Sequence, residues 1–182
     1  MAQVSLFAAL MAVMGLIPKI DLPLGVPITI QSLGVMLAGV MLGPWRGMQS
    51  MLLLAAVAVG LPLLSGGRGG IAVFMAPSAG YLLGYPLAAC IAGLVMRALP
   101  QGSPRRAALS AFAASALGGL VALHAFGVLG LMLMAKLSLS QAFMATLLFV
   151  PGDLVKCVLC ALVVHTVARG MPDWPFGGRQ HG

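Results

Sequence analysis

"FVPGDLVKCVLCALVVH", residues 149–165, is an apolar run that carries one acid and one base, Asp153 and Lys156. Such a run is typical of a membrane-spanning helix, in which a charged side chain usually faces the bundle interior. Residues three apart share a helix face. The pair is therefore either a structural ion pair or part of a site for a polar ligand. Pro151 and Gly152 weaken the backbone beside it, which favours the ligand site.

The whole chain has the composition of a helical membrane protein. Of its 182 residues, 61% are hydrophobic and 7% are charged, and the mean hydropathy is +1.09, whereas a soluble domain carries roughly 25% charged residues. The net charge of +7 reflects a shortage of acids, and the longest basic run is Arg105 and Arg106. Nucleic-acid binding is therefore not predicted. Without a Walker A motif, a serine–histidine arrangement or paired carboxylates, an enzyme is not predicted either.

Apolar segments divided by proline and glycine predict one all-α integral membrane domain over residues 1–182, with six transmembrane helices. The predicted helices cover 3–18, 28–43, 46–62, 78–98, 105–134 and 140–169, and residues 170–182 are predicted to be a poorly ordered tail. With the N-terminus inside, six basic residues fall inside and three outside, which favours cytoplasmic termini. The inner six are Arg46, Arg97, Arg105, Arg106, Arg169 and Arg179, and the outer three are Lys19, Arg68 and Lys136.

The longest predicted loop, residues 63–77, has the sequence LLSGGRGGIAVFMAP and lies on the predicted outer side. Four glycines flank Arg68, and they permit tight turns. The second half of the loop is too apolar for a solvated linker. We therefore expect the loop to fold back over the bundle as a lid, because irregular backbone at membrane depth must be buried in protein.

Polar side chains from four predicted segments converge toward the outer half of the bundle, which predicts a pocket that opens outward. The Gln31 amide has an alternative role as an interhelical hydrogen-bonding group, and the tyrosines have one as an interfacial belt. His124 is interpreted as a satisfied core histidine, and Cys157 and Cys160 as buried apolar residues rather than metal ligands. The converging residues are Gln31, Arg68, Ser78, Tyr81, Asp153 and Lys156, with Tyr85 one turn beyond Tyr81.

Ala8 and Ala12 form a small-xxx-small pair on the first predicted helix. Pairs of this kind let helices approach each other closely in lipid. The pair either packs the first helix on its neighbours within the chain or is displayed outward as a docking surface for another membrane subunit.

Four stretches together resemble the BioY family, the biotin-specific substrate-capture (S) components of energy-coupling-factor (ECF) transporters. They are GVPITIQSLGVMLAG (25–39), LGPWRG (42–47), GLPLLSGGRGGIAVFMAPSAGYLLGYPLA (60–88) and VPGDLVK (150–156). The resemblance extends over residues 5–168. It implies the S-component fold, a cell-membrane location with both termini cytoplasmic, and biotin bound near the outer face beneath the loop after the third helix.

The resemblance also implies roles for individual residues. Asp153 and Lys156 match the family's charged pair, and Ala8 and Ala12 match the Ala-x-x-x-Ala motif that docks on the transmembrane coupling protein. Biotin is the implied transported ligand, no cofactor or metal is expected, and the implied partners are the coupling protein and cytoplasmic ATPases that energise uptake. The apolar cover of the biotin ring is expected from Ile71, Val73 and Phe74.

Two other interpretations remain open from the sequence. An autonomous secondary transporter would couple uptake to protons through titration of Asp153, although no inverted repeat is visible. A structural subunit would hold the charged pair without binding any ligand.

Overall fold

The structure is a computed structural model that describes residues 1–19 and 28–178. This part of the chain is all helical, which confirms the predicted class. Two short 3-10 helices accompany seven longer helices, and they cover Ile71–Phe74 and Phe176–Gly178. The longer helices are α1 (Ala2–Gly15), α2 (Gln31–Leu42), α3 (Pro44–Ala58), α4 (Ala79–Ala98), α5 (Pro104–Met134), α6 (Leu139–Leu147) and α7 (Val150–Gly170).

Helix α2 forms the centre of the bundle. All 12 of its residues are buried, and it contacts α1, α3, α4, α5 and α7. It ends at Gly43, whose φ of 86° is a conformation that favours glycine. Pro44 follows at the first turn of α3, where a missing N–H carries no penalty. This glycine–proline step separates two helices that the sequence also predicts to be separate.

Three helices, α4, α5 and α7, are long and apolar enough to cross a membrane, while α1 and α2 are apolar but shorter. Helix α5 has 31 residues and adopts π geometry over Ala116–Ala122. At Gly118 a Cβ atom would lie 2.5 Å from the carbonyl oxygen of Ala88 in α4. The glycine is therefore required for the close approach of α4 and α5 in the interior.

The predicted sixth helix, 140–169, is two helices in the structure. Helix α6 begins at Ser138 with a capping box in which the Ser138 and Gln141 side chains each accept a backbone N–H. It ends at Leu147, and α7 begins three residues later with Pro151 in its first turn. Proline is tolerated there but not in a helix interior, because it lacks an N–H and its ring blocks the preceding turn. Asp153 is consequently a first-turn residue of α7.

The prediction of a poorly ordered tail at 170–182 is wrong for the part that the structure describes. Phe176 is 3% exposed and belongs to the main core cluster. The Trp174 Nε1–H donates to the Met41 carbonyl oxygen at the end of α2 (3.2 Å). Glycine and proline make this segment look like a linker, but its two aromatic side chains bury large apolar surfaces. Residues 179–182, and Arg179 with them, lie outside the described residues.

We expect Phe176→Ala to destabilise the protein by about 3 kcal/mol, because truncating a buried phenylalanine leaves a cavity. Thermal unfolding of the detergent-purified protein measures this effect. The control is Met171→Ala in the same segment, because Met171 is 49% exposed and its truncation removes little buried surface. Equal unfolding temperatures for the two variants would contradict the packing of this segment.

Candidate ligand-binding site

A cavity of about 70 Å³ lies inside the bundle, among α2, the loop between α3 and α4, α4 and the start of α7. The structure brings seven of the eight predicted ligand-binding residues to its wall. Phe74 is the exception, since it packs beside an apolar cluster while its neighbour Val73 lines the cavity. The seven are Gln31, Arg68, Ser78, Tyr81, Tyr85, Asp153 and Lys156.

Asp153 and Lys156 form a buried ion pair at the cavity wall. The Lys156 Nζ donates to Asp153 Oδ1 at 2.7 Å and to Ser32 Oγ at 2.8 Å. The Ser32 hydroxyl in turn donates to Asp153 Oδ1 at 3.1 Å. Asp153 is 5% exposed, and its position in the first turn of α7 places it near the positive end of the helix dipole. Lysine, hydroxyl and dipole together stabilise a carboxylate that would be costly to bury alone.

His124 of α5 is a neighbour of the candidate site that the sequence does not reveal. Its Nε2 lies 2.8 Å from Asp153 Oδ2, the oxygen that Lys156 and Ser32 do not contact. The interpretation as a satisfied core histidine holds, because the residue is 8% exposed and hydrogen-bonded. The sequence does not show that its partner is Asp153, which lies 29 positions further along the chain. The only sequence signal was a lone histidine in an apolar helix, in a chain with a single intramembrane acid.

The Gln31 amide uses its full hydrogen-bonding capacity within the protein. Its Nε2 donates to the carbonyl oxygens of Met11 (3.0 Å) and Leu63 (3.1 Å). Its Oε1 accepts from the backbone N–H of Ser65 (3.1 Å) and the Ser65 hydroxyl (2.9 Å). The buried amide therefore joins α1, α2 and the α3–α4 loop. These bonds favour the interhelical role among the two that the sequence allows.

The α3–α4 loop closes the cavity through Arg68. The guanidinium donates from Nε to the Ser65 carbonyl oxygen (3.2 Å) and from Nη1 to Ser78 Oγ (3.1 Å). Gly66 and Gly67 have φ values of 76° and 68°, so the tight turn before Arg68 requires them. Through these two hydrogen bonds Arg68 joins the middle of the loop to its end, and Arg68 also lines the cavity.

Aromatic rings form the cavity wall beside the ion pair. The Tyr81 ring lies 6.2 Å from the His124 ring and 5.9 Å from the Phe149 ring, measured between centroids. The Tyr81 hydroxyl is hydrogen-bonded to Thr146 Oγ1 of α6 (3.1 Å). Tyr85 lies one turn further along α4 and is 9% exposed. Both tyrosines therefore face the interior rather than an interfacial belt.

Ala8 faces the interior of the bundle and is 7% exposed. Ala12 is partly buried against the cluster formed by α2, α3 and α4. The internal packing role is therefore the one that the structure describes for this pair. The outward face of α1 carries the exposed side chains of Leu6, Leu10 and Val13.

These features define a class of protein: a helical, multi-pass membrane protein with a small interior cavity beside a buried Asp–Lys pair. The chain belongs to the BioY family, whose family model matches residues 1–173. It is 46% identical over 180 residues to the biotin transporter BioY of Rhodobacter capsulatus, covering 93% of each chain. It is also 46% identical over 175 residues to the biotin transporter BioY of Rhizobium etli, covering 94% of each.

A more distant relative, the probable biotin transporter BioY of Bacillus subtilis, is 39% identical over 173 residues, which cover 94% of this chain and 91% of the relative. Among solved structures, the fold is similar to the S-component for biotin from an ECF-type ABC transporter. The TM-score is 0.84 at 28% sequence identity, and the similarity covers 92% of this chain and 89% of that one. The predicted S-component fold is confirmed.

Proposed function

We propose that the protein is the biotin-binding S component of an ECF transporter and that it captures biotin in the cavity beside Asp153. The observation that carries the proposal is the Asp153–Lys156 pair at the wall of a cavity in a chain whose relatives are named biotin transporters. This function is binding only, so the chain does not need to make or break a covalent bond.

The hydrogen-bonding groups left at the ion pair match the ureido group of biotin. The Lys156 ammonium has three N–H donors, and two of them are used by Asp153 and Ser32. Asp153 Oδ2 accepts from His124 and has one further lone pair. One donor and one acceptor thus remain side by side. A cyclic urea presents an acceptor carbonyl next to an N–H donor, so we assign the ureido group to Asp153 and Lys156.

The loop side of the cavity suits the carboxylate of biotin. Arg68 carries a planar guanidinium that pairs well with carboxylates, and it donates to Ser78 at the end of the loop. Tyr81 and Val73 also line the cavity and supply apolar surface for the rest of the ligand. With this assignment, Arg68 both contacts the ligand and holds the α3–α4 loop in place.

We infer that biotin enters by movement of the α3–α4 loop. This loop lies over the cavity of about 70 Å³, and Arg68 joins it to Ser78 at the start of α4. The Arg68–Ser78 hydrogen bond is the contact whose loss would open the cavity toward the loop. We infer that biotin replaces this closed arrangement with one in which the loop covers the ligand.

We further propose that α1 to α3 complete six membrane crossings with both termini in the cytoplasm. They have 14, 12 and 15 residues, or about 18–23 Å at 1.5 Å per residue, so the membrane must thin or the loops must continue each crossing. The exposed face of α1, with Leu6, Leu10 and Val13, is our candidate surface for the coupling protein, whose ATPases would energise uptake.

A calorimetric titration of the detergent-purified chain with biotin tests the proposed function. We expect saturable high-affinity binding of biotin, weaker binding of desthiobiotin because it lacks the sulfur ring, and no binding of thiamine. Folded protein that shows no saturable heat with biotin would contradict the proposal.

One observation favours a second candidate, proton-coupled uptake by the chain alone. The His124–Asp153 pair (2.8 Å) is buried and could exchange a proton with bound ligand. Proteoliposomes that contain only this chain discriminate the two functions. Biotin accumulation that a protonophore abolishes supports the second candidate, whereas binding without accumulation supports the S component.

We expect His124→Phe to weaken biotin binding about tenfold, because Asp153 loses the hydrogen bond that orients its Oδ2, and bonds to charged groups contribute about 1.5–3 kcal/mol. His124 is a positioning residue, so the conservative variant His124→Gln, which keeps an N–H donor, should bind within about twofold of the native protein. Titration calorimetry measures both variants. A larger loss for His124→Gln than for His124→Phe would show that the ring acts through packing and not through its hydrogen bond.

A further inference from the structure

A groove of about 670 Å³ lies on the exterior of the bundle between α5 and α7. Four residues of each helix line it. Those of α7, such as Val158 and Leu162, lie on the exposed face of that helix, whereas Asp153 lies on its buried face. The groove is therefore separate from the cavity described above.

The groove is apolar along its length and basic at one end. Leu109 is 71% exposed and Leu162 is 56% exposed, and Phe112 and Val158 continue the apolar lining. The basic end carries Arg105 and His165.

The basic end lies at the edge of the membrane span. Arg105 is the second residue of α5. His165 lies five residues before the end of α7 at Gly170, or about 7.5 Å along the axis. Both side chains are thus near the level at which lipid headgroups begin.

The Arg105 guanidinium is available to pair with a negatively charged group of a ligand. It is exposed, and among the residues that the structure describes, no acidic side chain or hydrogen-bond acceptor is found at its guanidinium. The His165 imidazole carries an N–H donor in either protonation state. A ligand that fits this groove has a long apolar part and a negative group at one end.

We propose that the groove binds an anionic phospholipid, with one acyl chain along the apolar lining and the phosphate at Arg105 and His165. Basic pockets between transmembrane helices bind anionic headgroups in this way. A second copy of the chain is a weaker candidate because its partner surface would have to supply an acid. In the described part of the chain only Asp173, in the C-terminal segment, is exposed, whereas Asp153 is buried and already paired.

Native mass spectrometry of the detergent-purified protein tests the proposal through titration with phosphatidylglycerol and phosphatidylcholine of matched chains. We expect tighter binding of phosphatidylglycerol, and Arg105→Gln should weaken it about fivefold, the effect of one interfacial basic residue. Arg106→Gln is the matched control, because it removes the same charge one residue away and does not line the groove. Inorganic phosphate alone should neither bind nor compete, since it lacks the apolar part.

The second variant, Ala161→Trp, fills the groove without changing charge and should abolish the preference for phosphatidylglycerol. Biotin titration of every variant reports whether the protein is folded, so failure of the lipid site is distinguishable from misfolding. Equal affinity for the two lipids, or equal effects of Arg105→Gln and Arg106→Gln, would overturn the proposal. Dimers that cross-link through a cysteine introduced at Leu162 would assign the groove to a second copy instead.

Discussion

Asp153→Asn is expected to weaken biotin binding about 100-fold. The amide keeps the shape of the side chain but loses the negative charge that accepts from the ureido N–H, and a hydrogen bond to a charged group contributes about 1.5–3 kcal/mol. The substitution also leaves Lys156 without its counterion in a site that is mostly shielded from water, so the unfolding temperature should fall as well. Titration calorimetry and thermal unfolding measure the two effects.

Two controls separate binding from stability at this site. The double variant Asp153→Asn with Lys156→Met removes both charges, so it should recover the lost stability while biotin affinity stays low. Asp173→Asn removes the same charge from an exposed position in the C-terminal segment and should change neither quantity. Native-like biotin affinity in the double variant would contradict the proposed role of the pair.

Gln31→Leu is expected to destabilise the protein by about 3 kcal/mol, because it leaves the Leu63 carbonyl and the Ser65 N–H and hydroxyl without their buried partner. For a chain of this length the unfolding temperature should fall by about 9 °C. The loop should also detach from α1 and α2, so biotin dissociates faster. Thermal unfolding and stopped-flow displacement of biotin measure these changes.

The matched control is Gln3→Leu, which removes one exposed hydrogen bond from Arg46. Its effect on the unfolding temperature should be within about 1 °C, since exposed polar substitutions change stability little. If Gln31→Leu melts like this control and retains native biotin kinetics, the amide does not organise the loop.

Sequence patterns predict which polar residues lie together in the interior better than they predict the helix boundaries. Charged and amide groups in an apolar chain have few acceptable positions, so Gln31, Asp153 and Lys156 were expected to face a common interior. Their placement around one cavity agrees with this argument. Of Ile71, Val73 and Phe74, the residues expected to cover the ligand, only Val73 lines the cavity. A loop has no periodicity from which the direction of a side chain follows.

Three features depended on tertiary context that local patterns do not contain. The sequence predicts one long helix that is loosened at Pro151, but Pro151 lies in the first turn of a new helix because the residues before it turn the chain. The sequence predicts a polar, poorly ordered tail around Phe176, although this residue packs into the core. His124 adjoins the candidate site only because it is hydrogen-bonded to Asp153. No spacing within either helix predicts this contact between helices.

The most direct test of the central claim, that Asp153 holds the ureido group of biotin, is calorimetric competition with biotin methylated at a ureido nitrogen. In the native protein we expect the methyl group to weaken binding about 100-fold, and in Asp153→Asn by less than about threefold, because the lost interaction is already absent. Biotin methyl ester, which alters only the carboxylate, should show no such dependence on Asp153. An equal penalty for ureido methylation in both proteins would contradict the account.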